Sequence, residues 1–273
     1  MDPKELIRAG RLSEARKVLI ETVKASPSDG AARTVLFQVQ CFLGEWDKAE
    51  RQLEVVASQS PKSEAGVQGY RNLLAAEKFR ADVFSAGLRP SFLPKTPAYA
   101  EKYFGARELI AQEEWSGAAA LFDEIVAQIP ELAGTLNGKE FSDFGDMDSG
   151  LSFFLETFVH GKYVWVPFES VREIVVSPPQ TLFDLLWISA LVTTHDGLSL
   201  NCFLPVLYPG SSRHEDDRVK LGRMTDWVLS GGSFVRGAGQ HVYEVGGEEV
   251  PLLEMREVVF GGSTEERNHG KED

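Results

Sequence analysis

What is scarce in these 273 residues excludes several chemistries. There are two cysteines, Cys41 and Cys202, on what should be different domains, so a disulfide framework has nothing to be built from and a reducing compartment is expected. The five histidines, His160, His195, His214, His241 and His269, are scattered, with no close-spaced ligand pair, so no metal site is expected. No stretch approaches the ~20 apolar residues of a membrane span. The start, Met1-Asp2-Pro3-Lys4-Glu5, has no basic segment leading into an apolar run, so a cytoplasmic protein without a secretory signal is expected. Positive charge is short: 28 Lys and Arg stand against 41 Asp and Glu, and the net charge of −13 argues against nonspecific nucleic-acid binding and against docking on an anionic membrane. A phosphate loop is missing, and Ser211, Ser212 and Ser230 lack a nucleophile-elbow context, so neither a cofactor nor a catalytic residue is expected.

What is present is a repeat. Gly10-Arg11-Leu12-Ser13-Glu14-Ala15 with Pro27 recurs as Gly44-Glu45-Trp46-Asp47-Lys48-Ala49 with Pro61, a period of 34 residues. A weaker third copy is Glu113-Glu114-Trp115-Ser116-Gly117-Ala118 with Pro130. The wider gap before it leaves room for a degenerate hairpin. The glycine ends one helix in the left-handed conformation, Ser13, Asp47 and Ser116 are expected to cap the next, the alanine allows close helix approach, and the proline closes the unit. Such hairpins bury their apolar faces only by stacking. The pattern resembles the tetratricopeptide repeat.

The fold class expected is therefore α+β: a tetratricopeptide-like helical hairpin stack over 1–130, a linker over 131–148, a mainly antiparallel sheet or small barrel over 149–260, and a disordered tail over 261–273. Glu64 to Ala86 and its neighbour Ser63 are rich in helix formers and read as a helix packing across the stack, while Pro90, Pro94 and Pro97 make 88–97 an extended connector. The linker is rich in turn residues (Gly134, Asn137-Gly138, Gly145). Beyond it, 151–158 reads as a short helix, 162–168 and 171–176 as strands, 185–207 and 241–260 as hairpins, and 208–218 as a polar loop. The acidic run Asp143, Asp146 and Asp148 lacks calcium-loop register and reads as a solvated turn, with Asp148 or Ser149 capping the next helix. His195-Asp196-Gly197 reads as hairpin-turn chemistry. Trp165, Trp187 and Trp227 read as core, with Trp187 also suited to an interface.

The later half also carries long, unusual strings: Gly161-Lys162-Tyr163-Val164-Trp165-Val166-Pro167-Phe168-Glu169, Leu182-Phe183-Asp184-Leu185-Leu186-Trp187, Leu204-Pro205-Val206-Leu207-Tyr208-Pro209-Gly210-Ser211 and Leu221-Gly222-Arg223-Met224-Thr225-Asp226-Trp227. These resemble the ImpE/TagJ family of bacterial type VI secretion accessory proteins, and the helical first half fits that family too. The resemblance implies a cytoplasmic adaptor that contacts the N-terminal helical segment of the small sheath subunit and, through it, the AAA+ ATPase that recycles contracted sheath. From the residues themselves, a stacked helical surface suits holding an amphipathic helix. Thr34, Gln38, Cys41 and Phe42 on the second unit's first helix are the partner-binding candidates there, with Trp187, Tyr208, Arg223 and Trp227 in the later half. A second reading uses Tyr208, Arg223, Asp226 and Trp227 for a small ligand or a hydrolytic activity; its structural counterpart is an Arg223–Asp226 pair tying a loop to the sheet. A structural homo-oligomer is a third class.

Overall fold

The computed structural model describes residues 2–59 and 64–261, with the side chains of residues 64 and 65 set aside. The first half is helical, as the period predicts. Helices α1 (Pro3–Arg8) and α2 (Leu12–Ala25) pair, as do α3 (Gly30–Phe42) and α4 (Trp46–Gln59). A third hairpin joins α6 (Ala100–Ala111) to α7 (Trp115–Val126). Each turn contains one left-handed residue, Gly10 (φ 72°), Gly44 (φ 66°) and Glu113 (φ 61°), so the degenerate third copy keeps the conformation that glycine supplies in the first two. Ala15, Ala49 and Ala118 are fully buried between helices, the place the repeat assigns them. Pro61 lies outside the described residues.

The caps differ from expectation. Leu12, Trp46 and Trp115 are the first helical residues, which puts Ser13, Asp47 and Ser116 inside the first turn instead of at the cap. The orphan N–H of Ser13 is satisfied by Asp217 Oδ2 at 3.0 Å, from the other half of the chain. Asp47 pairs with Lys78 at 2.8 Å. The gap between the second and third copies holds one long helix, α5 (Glu64–Ser85), instead of a hairpin, and α5 packs on both α4 and the sheet.

The later half is mainly antiparallel. Its strands are β1 (Ser91–Phe92), β2 (Gly134–Leu136), β3 (Lys139–Phe141), β4 (Phe144–Asp146), β5 (Phe154–Val159), β6 (Lys162–Pro167), β7 (Val171–Val176), β8 (Trp187–Thr194), β9 (Ser199–Pro205), β10 (Asp226–Ser230), β11 (Phe234–Ala238), β12 (Val242–Val245), β13 (Glu248–Pro251) and β14 (Glu257–Phe260). Among the described residues the main sheet runs β1-β6-β5-β9-β8-β7-β14-β2-β3, with β13-β12-β4 and the β10–β11 ribbon beside it. The only parallel pairing among them is β1 with β6, which lets the proline-rich connector add an edge strand.

The structure departs from the sequence pattern in four segments. Residues 151–158 do not form a helix: a turn leads into β5, which is buried from Phe154 to Phe158, because this segment lies between two other strands. The stretch 131–148 is not a bare linker: β2 and β3 extend the main sheet and β4 pairs with β12. The 241–260 region makes the β12–β13 hairpin, but its end leaves as β14 to join β7 and β2. The loop after β9 includes a short helix, α8 (Asp217–Lys220), and begins with a buried tyrosine, Tyr208. The expected tail lies, Gly261 apart, outside the described residues.

The core is aromatic where helices meet sheet. Trp165 on β6 stacks on Phe154 (4.8 Å between centroids) and meets the edge of Tyr103 from α6 (5.5 Å). Burying such rings supplies much of the energy that holds the halves together.

Candidate functional site

Two places on the molecule bring distinctive side chains together. The first is on the repeat. The α3, α4 and α5 helices and the turn before β8 enclose an apolar pocket of about 270 Å³, lined by Thr34, Phe37, Leu53, Val56, Gly66, Val67, Tyr70 and Phe183. Its wall is an aromatic trio: Phe37 lies 5.4 Å from Tyr70 and 5.2 Å from Phe183, and Tyr70 lies 4.3 Å from Phe183. Phe183 is held in place by a turn that Thr181 and Asp184 cap reciprocally. The lining is nearly free of charge, so the pocket is suited to an apolar side chain presented by another chain.

The second place is the seam between α5 and the sheet, where ionised groups are buried. Arg80 on α5 makes a bidentate pair with Glu156 on β5, Nε to Oε1 at 2.7 Å and Nη2 to Oε2 at 2.5 Å, and Nη2 also donates to the Leu207 carbonyl at 2.9 Å. Tyr163 donates its hydroxyl proton to Glu156 and receives the Trp165 indole N–H. His241 lies between two carboxylates, with Nδ1 2.7 Å from Asp146 and Nε2 3.1 Å from Glu156. Tyr208 donates to Asp146 at 2.8 Å, and Trp187 donates its indole N–H to Glu77 at 2.9 Å. Asp148 is fully buried, accepting from the Gly150 and Gly237 backbone and from Arg236 Nε at 3.0 Å.

The electrostatics follow from these contacts. Burial opposes ionising Glu156, but the Arg80 charge and hydrogen bonds from Arg80 and His241 overcome it and bring the carboxyl down to about 2. Burial also opposes charging His241; the Asp146 charge and hydrogen bond, with Glu156 behind them, outweigh it and lift the imidazole to about 9. His241 is thus an imidazolium at neutral pH, donating from both nitrogens. With no lone pair exposed it holds the fold and offers no base. Glu77, by contrast, is pushed up by burial.

The acidic run therefore has a different role from the one expected. Asp146 and Asp148 are not in a solvated turn and cap no helix; they are anchors of the buried cluster, while the Asp143 side chain accepts from the next backbone N–H at 3.0 Å and its carbonyl from Gly246 N–H at 2.9 Å. Sequence reasoning also missed Arg80, Glu156 and His241. The one signal available was that glutamate in the middle of an apolar run, Phe154-Leu155-Glu156-Thr157-Phe158, demands a cationic partner if that run is buried.

The partner-binding candidates scatter. Thr34 is exposed and lines the apolar pocket, and Gln38 is half-buried. Cys41 and Phe42 face the core and are buried, as are Trp187 and Tyr208. Both cysteines are free. Trp227 is half-buried against Tyr208, with 5.6 Å between centroids. Arg223 does not pair with Asp226. It donates to the carbonyls of Arg8 (2.6 Å) and Ile7 (2.9 Å) at the end of α1, whereas Asp226 meets His214 at 3.1 Å. His195-Asp196-Gly197 forms the tip of the β8–β9 hairpin. No described helix is long and apolar enough to cross a membrane.

Stacked helical hairpins fused to an antiparallel sheet define a tetratricopeptide-repeat protein with an appended α+β domain. Known proteins agree. A tetratricopeptide-repeat model matches residues 6–75, and the ImpE protein model matches residues 138–259. The type VI secretion system accessory component TagJ of Pseudomonas aeruginosa is 33% identical over 260 residues, covering 95% of this chain and 91% of that protein. The chain belongs to the ImpE family. The crystal structure of protein VPA1032 from Vibrio parahaemolyticus has the same fold, with a TM-score of 0.86 at 24% identity over 96% of this chain and 98% of that one.

Proposed function

We propose that this protein is a non-enzymatic, cytoplasmic adaptor of a type VI secretion system. Its helical half takes up the N-terminal helical segment of the small sheath subunit, and through that subunit it is linked to the AAA+ ATPase that recycles sheath. Kinship with an accessory component of that system supports the setting. The observation that carries the binding mode is the apolar pocket among α3, α4 and α5. A helix laid in a groove is anchored by apolar residues at three-and-four spacing, and an aromatic-walled pocket of this size takes one such anchor. Thr34 and Gln38 stand on the same helix as Phe37 and would meet the polar flank of the guest; Cys41 and Phe42 shape the groove from beneath.

The test is calorimetric titration of the whole protein with a synthetic peptide of that sheath segment. Saturable binding is expected, and Val56→Glu, which puts a carboxylate in the pocket, should abolish it. No heat from the parent protein, or equal binding by Val56→Glu, would contradict the reading.

A further inference from the structure

A cleft of about 410 Å³ opens where the α3–α4 turn, one face of α5 and the loop after β9 converge. That volume is in the range of small-molecule sites. Three arginines reach it from three elements: Arg80 from α5, Arg213 from the loop and Arg236 from β11. This is unusual in a chain of net charge −13. Trp46 and Phe84 supply aromatic walls.

The donors have spare capacity. Arg80, 4% exposed, gives Nε and Nη2 to Glu156 and Leu207, but its Nη1 has only a 3.5 Å contact with Glu77, at the limit of a hydrogen bond. Arg236 gives Nε to Asp148 and lies over the Phe84 ring at 5.6 Å; among the described residues its two terminal nitrogens make no hydrogen bond. The side chain of Arg213 makes neither an ion pair nor a hydrogen bond among the described residues. Glu77 lines the same cleft, with Oε2 3.5 Å from Arg80 Nη1 and Oε1 accepting the Trp187 indole N–H. The buried carboxylates behind Arg80 and Arg236 fix both guanidinium groups, so a ligand meets an organised site.

We propose that this cleft binds a small organic diphosphate. The terminal nitrogens of Arg213 and Arg236 take the phosphate oxygens, Arg80 Nη1 forms the floor, and Trp46 and Phe84 flank the organic group. A diphosphate is favoured over a lone carboxylate because several planar donors converge on a space much larger than a carboxylate fills. This site is separate from the apolar pocket of the proposed adaptor function and does not depend on it.

The probes are pyrophosphate and ADP, each titrated into the full-length protein without divalent metal, with binding read by calorimetry. Saturable binding of at least one probe is expected, and Arg213→Gln, a change at an exposed position, should weaken it about tenfold or more. Lys102→Gln, which removes a surface charge paired with Glu124 on the α6–α7 hairpin, should leave it unchanged. Tighter binding of ADP would assign the aromatic walls to a base, and equal binding would assign the site to the phosphates alone. Absence of binding by both probes would overturn the proposal, as would equal weakening by Lys102→Gln and Arg213→Gln.

Discussion

The helical repeats and the seam they make with the sheet are held by opposite physics. In the repeats the buried groups are, Gln40 apart, small or apolar, and within each hairpin the packed partners are close in sequence: Leu12, Ala15, Leu19, Ala49 and Leu53. At the seam, Arg80 meets Glu156 across 76 residues and His241 meets Asp146 across 95, all inside the protein. Apolar packing tolerates exchange of like for like, whereas a buried ion pair fixes one partner in one geometry. The difference teaches how a modular helical stack, able in principle to continue, is locked to a single sheet domain in one register.

The contrast can be broken most severely at Arg80. Arg80→Ala leaves the Glu156 carboxylate buried without its main partner and is expected to cost about 3–5 kcal/mol, more than the ~1 kcal/mol expected for Leu53→Met, a like-for-like exchange in the repeats. Urea denaturation of both variants measures this; a smaller loss at Arg80 would show that the seam is not held by charge.

Next in size is a pH effect confined to the seam. His241 rises from its ordinary 6.5 to about 9 on folding, so its stabilisation is fully present below about pH 6.5 and is lost as pH rises through about 9. Glu156 falls from 4.5 to about 2, so its share is present above about pH 4.5 and lost as pH falls through about 2. The alkaline loss should approach ~3 kcal/mol in the parent protein and be flattened in His241→Gln. Equal slopes for the two proteins between pH 6.5 and 9 would contradict the assignment.

Smaller effects sharpen the likeness among the repeats. Gly44→Ala should cost about 1–2 kcal/mol, because the backbone is left-handed there and a Cβ would sit 2.5 Å from Ser212 Oγ. Glu113→Gly, at the same point of the third copy, should stabilise by up to ~1 kcal/mol. Asp217→Ala should cost about 1 kcal/mol by uncapping α2 from across the chain. Thermal melts of the three variants check the order.

These contrasts also explain what the sequence made legible. Gly10, Gly44, Ala15, Ala49 and Pro27 act on residues a few positions away, so the hairpins could be read from spacing alone. Strands β6 and β7 and the β8–β9 hairpin were equally local, with alternation and a glycine turn to mark them. The misread segments have both local and distant partners. The run 154–158 pairs with β6 across the tight His160-Gly161 turn, and β2 pairs with β3 across Asn137-Gly138, both marked in the sequence by a turn glycine; the pairings of 154–158 with β9 and of β2 and β4 with β14 and β12 come from far along the chain. Capping failed by one residue: Leu12, Trp46 and Trp115 enter the first turn, and an aspartate 204 residues away serves Ser13. At the apolar pocket, Thr34 was within reach of sequence reasoning, but Tyr70 and Phe183 join it only through the fold. Of the seam cluster, Glu156 alone was marked in sequence, by the apolar run around it; its partners Arg80, His241 and Asp146 join it only through the fold.

The central claim is that the helical stack cradles a helix from another protein. Hydrogen exchange with and without the sheath segment tests it most directly. The account predicts slowed exchange in α3, α4 and the first turns of α5, with the β10–β11 ribbon unchanged. Protection confined to the sheet half, or none in these helices at saturating peptide, would contradict it.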